Sequence, residues 1–133
     1  MDYTAQHRGF IALISVLIVG VVGVSIATSL ILLGLGSSKT SFALEQSAQA
    51  KALAMACAEE GLQKIQESTS YTGNGTLTLG QGACAYTVAS QGGQNRTVSA
   101  YSTVGTLVRK EKIIITRVNP TIEIDSWQEV ADF

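Results

Sequence analysis

Residues 10–35 form an uninterrupted apolar run, FIALISVLIVGVVGVSIATSLILLGL, in which the only polar side chains are serines and a threonine. A helix of this length measures roughly 39 Å, enough to cross a hydrocarbon core of about 30 Å with some tilt. Because no side of the run is polar, it does not fit the surface of a soluble domain. The pattern predicts a membrane-embedded helix over residues 10–36.

A second helical pattern follows over residues 40–66. Glutamines and glutamates alternate there with apolar residues at steps of three, four and seven, and many alanines favour a helix. We expect an amphipathic helix packed on a sheet, with Lys51 interrupting its apolar face. Gly34, Gly36 and the polar residues 37–39 predict a break before it. The predicted apolar face contains Leu44, Ala48, Met55, Ala58, Leu62 and Ile65.

From residue 83 onward the apolar period becomes two, which is typical of half-buried strands. The glycine pair at 92–93 predicts a hairpin turn between the first two strands. Residues 68–82 are rich in glycine, serine and threonine, and predict a loop with at most one short strand at 76–79. The fold class is therefore α+β, a long N-terminal helix followed by a four-stranded antiparallel sheet. The predicted strands are 84–89, 97–104, 107–118 and 121–127.

The number of residues beyond the apolar run, 37–133, allows one domain. The formal net charge of −1 argues against a function dominated by electrostatic binding of nucleic acid. The best basic group is Arg96, Arg109, Lys110 and Lys112, a candidate weak nucleic-acid contact. Strand alternation places Lys110 and Lys112 on one face and Arg109 on the other, which divides the group. A solvated strand end is the favoured interpretation, and nucleic acid is not an expected partner.

No catalytic set is visible, and we expect neither an enzyme nor a metal or cofactor site. The only histidine is His7, which precedes the apolar run. The carboxylate pairs Glu59-Glu60 and Glu123/Asp125 are explained by solvated faces. Acidic residues near the C-terminus lack the loop spacing of a calcium site, and two cysteines without further ligands do not make a zinc site.

Cys57 and Cys84 are the only cysteines, and both follow the apolar run. Cys57 is one turn from Gly61, which leaves room for an approaching strand, and Cys84 begins the first of the four predicted strands. A helix across that strand brings the α-carbons within the roughly 4.4–6.8 Å that a disulfide allows. A disulfide indicates an oxidising compartment; two buried free thiols are the alternative.

The N-terminus, MDYTAQHRGFIALISVLIVG, resembles the class III signal of the type IV pilin and pseudopilin superfamily. The resemblance rests on Arg8-Gly9-Phe10 followed by an apolar helix, with Gly23 fourteenth after the proposed cut. It implies a leader over residues 1–9, cleavage between Gly9 and Phe10 by prepilin peptidase, and methylation of the new amine. It also implies an inner-membrane protein with its C-terminal domain outside, assembled by the pilus machinery with other pilin subunits into a cell-surface filament.

Two positions depart from the pattern of major pilins. Ile14 holds the fifth mature position, where major pilins carry glutamate, and Ile31 holds the twenty-second, where proline is frequent. A missing glutamate is typical of minor pilins, including the PilX type and the tip pseudopilin of type II secretion. The resemblance therefore implies a minor subunit, and the C-terminal residues 126–133 resemble minor-pilin tails.

Small residues within the apolar run are candidates for close helix packing. Gly20, Gly23 and Ala27 form one set, and Ser25 with Ser29 forms another; such residues let helix backbones approach in lipid. Glycine is also common in ordinary transmembrane helices. If these residues have no packing role, the alternative function is a single-pass, membrane-anchored extracytoplasmic binding module that is not polymerised. A cleaved secretory signal is excluded because its apolar region spans only about 7–15 residues.

Overall fold

The computed structural model describes residues 3–133, with side chains from Gly9 onward. His7, the histidine of the predicted leader, therefore has its side chain outside the described residues. The chain divides into two compact units, Met1–Phe42 and Ala43–Phe133.

A single helix, α1, runs from Tyr3 to Glu67 and supplies all the described secondary structure of the first unit. The break expected at residues 37–39 is wrong, because α1 continues through them without interruption. Glycine costs about 1 kcal/mol in a helix interior, and good helix formers on both sides outweigh Gly34 and Gly36. The only proline in the sequence lies at position 120, so none interrupts α1.

The second unit contains the end of α1 and one antiparallel sheet, which confirms the α+β class. The strands pair in chain order, each with its sequence neighbour, as a meander. The turn predicted at the glycine pair joins β2 to β3, and Gly92 and Gly93 have φ of 99° and 58°, which favour glycine. The strands are β1 (Gly73–Leu79), β2 (Gly82–Gly92), β3 (Asn95–Val104), β4 (Leu107–Arg117) and β5 (Glu123–Glu129).

The sheet has five strands, so the prediction of four is wrong. The additional strand is β1, where the sequence predicts a loop with at most a short strand. Its glycines and threonines hide the period-two pattern, but every residue pairs with β2, from Gly73 opposite Val88 to Leu79 opposite Gly82. Gly75 packs under the ring of Tyr86, where a Cβ would lie 2.6 Å from ring atoms. A strand without an alternating apolar pattern is thus explained by close packing at the sheet edge.

The core lies between the C-terminal part of α1 and the inner face of the sheet. The prediction of the buried helix face is confirmed at Ala58, Leu62 and Ile65, which lie in or against the core. It is wrong at Leu44, which is 67% exposed, at Met55, which is 40% exposed, and at Ala48, which is exposed. Leu53 is buried in their place together with the small residues Ala50, Ala54 and Cys57, which allow the strands to approach closely. The core residues are Ala50, Leu53, Cys57, Ala58 and Ile65 from α1, and Cys84, Tyr86, Val88, Val98, Ala100, Val104, Ile113, Ile115 and Val118 from the sheet and its margin.

Candidate functional site: the apolar segment and the cysteine pair

The apolar segment of α1 has no covering layer within its own unit. Residues 9–45 are all exposed, and the large apolar side chains of this segment range from 41% exposed at Ile14 to 71% at Leu33. Exposed apolar surface of this extent is not stable in water. Among the described residues, α1 is long and apolar enough to span a membrane, and it is the one helix that is.

The hydroxyl groups of this segment are satisfied inside the helix itself. Ser15 Oγ donates a hydrogen bond to the carbonyl of Ile11 at 2.9 Å, and Ser25 Oγ donates one to the carbonyl of Val21 at 2.8 Å. Ser29 Oγ donates to the carbonyl of Ser25 at 2.8 Å. Thr28 bonds in the same way. Because each hydroxyl has an internal acceptor, these residues can lie in hydrocarbon without unpaired donors.

The small residues predicted for helix packing form two separate surfaces. At 3.6 residues per turn, Gly20, Gly23 and Ala27 fall within about 60° of one another, and Ser25 and Ser29 fall on roughly the opposite side. A Cβ at either glycine would meet no described atom within 4 Å. The serines line a shallow groove of about 350 Å³ together with Val21, Val22, Ile26 and Leu30. Both surfaces are open to a neighbouring helix.

The predicted cleavage junction lies on an exposed part of α1. Phe10 is 65% exposed, and a Cβ at Gly9 would meet no described atom within 4 Å. The position four residues after Phe10 carries Ile14, and no acidic side chain occurs between residues 9 and 44. The apolar segment therefore contributes no carboxylate of its own to a low-dielectric surrounding.

The two cysteines form a disulfide, the pairing that the sequence predicts. It joins α1 to β2 across 27 residues, with the α-carbons of Cys57 and Cys84 6.1 Å apart. Gly61 lets both β2 and β3 approach α1 closely. A Cβ at this position would lie 2.8 Å from Val98 Cγ1 on β3 and 3.3 Å from Tyr86 Cδ2 on β2. The disulfide is part of the core and has both cysteines buried. Its position suits a structural cross-link between helix and sheet.

The structure does not bring the four candidate nucleic-acid residues together. Arg96 is buried and bonds to loop carbonyls, while Arg109 bonds to Glu129 at 2.6 Å and to Ser47 Oγ at 2.5 Å. Lys110 lies on the opposite face, and its Nζ is 2.6 Å from Oδ1 of the Asp132 side chain. Lys112 shares that outer face because it alternates with buried residues. The division of the basic group by strand alternation is confirmed.

Glu111 and Glu129 make contacts between elements that the sequence pattern does not predict. Glu111 is 3% exposed and accepts a hydrogen bond from Trp127 Nε1 at 3.0 Å. Glu129 receives the bond from Arg109 and lies 3.9 Å from Lys51 Nζ. Both residues lie on the inner face of the sheet with Ile113. Glu111 is two residues before Ile113 in β4, and this period-two spacing is the sequence signal that could have predicted its burial. These pairs hold α1, β4 and β5 together.

Burial raises the pKa of Tyr86 to about 12, with a hydrogen bond to Tyr71 and nearby carboxylates adding to the effect. At neutral pH the phenol is therefore un-ionised and serves as a packed, hydrogen-bonded core group.

The pair Glu59-Glu60 lies on the helix surface, where Lys64 Nζ forms an ion pair with Glu60 at 3.8 Å. Within residues 9–133 no cluster of three metal-ligating side chains occurs.

Comparison with family models, curated proteins and solved structures finds no match to the chain.

Proposed function

We propose that this protein is a non-catalytic, minor structural subunit of a type IV pilus or related pseudopilus. The observation that carries the proposal is the apolar segment of residues 10–35, which is exposed along its whole length. A segment of this kind requires lipid, sister helices, or each in turn. A pilin uses both surroundings, since it waits in the inner membrane and then packs into the filament core.

The order of elements supports the same class. One N-terminal helix passes directly into the unit that carries an antiparallel sheet, as the resemblance to pilins implies. The two surfaces of small residues described above offer contacts to neighbouring helices. The disulfide favours an oxidising location for the second unit, on the outer side of the membrane.

Ile14 supports a minor or tip position. In the pilin scheme, a glutamate at this place neutralises the terminal amine of a neighbouring subunit, and such a charge pair has a large effect at low dielectric. An isoleucine leaves that amine without a partner, which disfavours repeated incorporation throughout a filament. A subunit used once or rarely escapes this penalty.

The proposed sequence of events starts with prepilin peptidase, which removes residues 1–9. The helix then holds the protein in the membrane until the assembly machinery extracts it. No chemical step is assigned to the protein's own side chains. Lipid, prepilin peptidase and other pilin subunits are thus the partners of this proposal.

Replacement of Gly9 by leucine tests the leader. We expect the wild-type chain, in cells with an active prepilin peptidase, to lose residues 1–9 and begin at Phe10, with or without a methyl group. The Gly9→Leu chain should keep its N-terminus, because the peptidase must approach the backbone there. Gly34→Leu is the matched control: both glycines have open space around them, and Gly34 lies outside the residues assigned to helix packing.

Intact-mass measurement of the purified chains, and N-terminal sequencing of material sheared from cells, provide the readout. Equal trimming of Gly9→Leu and wild type would refute the leader assignment. An intact wild-type N-terminus in cells that process other prepilins would instead favour the membrane-anchored binding module.

A further inference from the structure

Arg96 is the only buried cationic side chain among the described residues, with 8% of its surface exposed. It lies at the start of β3 and shares the inward phase of Val98 and Ala100. Arginine remains protonated at any physiological pH. The second unit therefore encloses a permanent positive charge near the turn between β2 and β3.

Uncharged acceptors hold the guanidinium in place. Nη1 donates to the carbonyls of Gly93 and Asn95, each at 2.9 Å, and to Ser90 Oγ at 3.3 Å. Nη2 donates to the carbonyl of Thr69 at 3.0 Å, in the connection between α1 and β1. These contacts fix the orientation of the group without neutralising its charge.

The positive charge of Arg96 and some of its N–H donors have no partner among the described residues. None of the ion pairs among the described residues includes Arg96. Its Nε is buried and has no hydrogen-bond partner in the described part of the chain. Since a guanidinium carries five N–H donors, the Nε donor and one on Nη2 have no acceptor. Buried charges and donors are normally paired.

A cavity of about 240 Å³ adjoins this side chain, and its walls carry no carboxylate among the described residues. Gln94 accepts from the backbone N–H groups of Val118 and Asn119 through Oε1, at 3.2 and 3.1 Å. That orientation leaves the Gln94 side-chain amide nitrogen available to donate, and Gln94 and Arg96 line the same cavity. The cavity is lined by Thr69, Ser70, Gly93, Gln94, Arg96, Val118 and Asn119.

We propose that this cavity binds a carboxylate group, with Arg96 as its counter-ion. A single cation with neutral donors matches a single negative charge, whereas a phosphate dianion would bring a second charge without a partner. The remaining Nη2 donor can bond a carboxylate oxygen, while the buried Nε contributes only to the charge of the guanidinium. The volume is below the roughly 300 Å³ of pockets for drug-sized ligands, which favours a small acid or an acidic side chain.

The test uses the full-length ¹⁵N-labelled protein in detergent micelles, titrated with sodium acetate against sodium chloride at equal ionic strength. We expect a saturable shift of the Arg96 Nε–H signal and of the Gln94 side-chain amide with acetate. Chloride and the neutral analogue acetamide should produce no saturation. Equal, non-saturating drift in all three titrations would overturn the proposal.

Arg96→Lys keeps the charge but removes the planar guanidinium and its directed Nη2 donor, so we expect the half-saturation concentration for acetate, read from the Gln94 amide, to rise roughly tenfold. Arg117→Lys is the matched control, because Arg117 is half exposed and paired with Glu123 on the surface. Unchanged acetate binding in Arg96→Lys would contradict the assignment. If that variant fails to fold, the wild-type titration decides the question by itself.

A blocked peptide, acetyl-Gly-Glu-Gly-amide, distinguishes a chain-borne carboxylate from a free acid, with the glutamine peptide as its neutral control. Binding of both acetate and the glutamate peptide supports a site for a protein side chain. Binding of acetate alone supports a site for a small acid. Neither result depends on assembly of the protein into a filament, so this proposal and the proposed function fail independently.

Discussion

Loss of the disulfide between Cys57 and Cys84 should destabilise the second unit strongly. The bond closes a loop with a sequence separation of 27 residues, which contains the end of α1, the following connection and all of β1. Much of that loop is glycine, serine and threonine, which contribute little apolar burial. Its order therefore depends on how firmly its two ends are held together.

The chain-entropy relation gives about 3.5 kcal/mol of stabilisation for a loop of 27 residues. Small domains have net stabilities of about 5–15 kcal/mol, so the cross-link supplies a large fraction of the total. Reduction keeps both sulfur atoms in the core and isolates this contribution. The double variant Cys57→Ala/Cys84→Ala loses the sulfurs as well, and we expect it to be slightly less stable than the reduced protein.

Urea unfolding of the full chain in micelles, followed by fluorescence of the single tryptophan, measures these differences. Trp127 is a suitable probe because it is hydrogen-bonded to buried Glu111 in the folded state. Oxidised and reduced wild type should differ by about 3–4 kcal/mol, while the reductant should not affect the double alanine variant. A difference below about 1 kcal/mol between oxidised and reduced wild type would refute the entropic argument.

Three further changes test other parts of the molecule. Gly61→Ala places a Cβ 2.8 Å from Val98 Cγ1 and should cost about 1–3 kcal/mol in urea unfolding; Gly20→Ala, with open space, should cost nothing, and equal effects would contradict the packing argument. The raised pKa of Tyr86, about 12 against 10, means that its stabilisation is present below pH 10 and declines as the pH rises toward 12. Tyr86→Phe should remove that part of the decline, so identical pH profiles from pH 9 to about 12 would refute the shift. Ile14→Glu should raise the share of this subunit in sheared filaments, and unchanged stoichiometry would show that the missing carboxylate does not limit incorporation.

The apolar run and the sheet strands beyond residue 83 are predictable because their signals are local. A charge-free segment of residues 10–35 is stable only in an apolar surrounding, whatever follows it in the chain. Period two in β2 and β3 directly sets which side chains share a face. The identity of the cysteine pair is predictable for a different reason, since two cysteines allow one bond within the chain, but the sequence also allowed two free thiols. These features require no knowledge of distant neighbours.

The buried face of α1, strand β1 and the position of Arg96 were not predictable in the same way. Leu44 and Met55 are large apolar residues, yet they are exposed, while Leu53 and Ile65 are buried. Where β2 and β3 approach α1 most closely, at Gly61, there is no room for a larger side chain. Strand β1 exists through its pairing with β2. Period two does place Arg96 in phase with Val98, but only the surrounding carbonyls make its burial possible.

The sequence by itself determined the apolar helix, the antiparallel strands from β2 onward and which two cysteines could pair, because each follows from the local pattern or from counting; the structure decided that the disulfide forms. Only the tertiary structure decided that Gly75 admits the ring of Tyr86, that Glu111 meets Trp127, and that Arg96 lies beside a cavity with its charge unpaired. These features depend on which distant segments come together. Close packing and desolvation act between such segments, and neither is encoded at any one position of the chain.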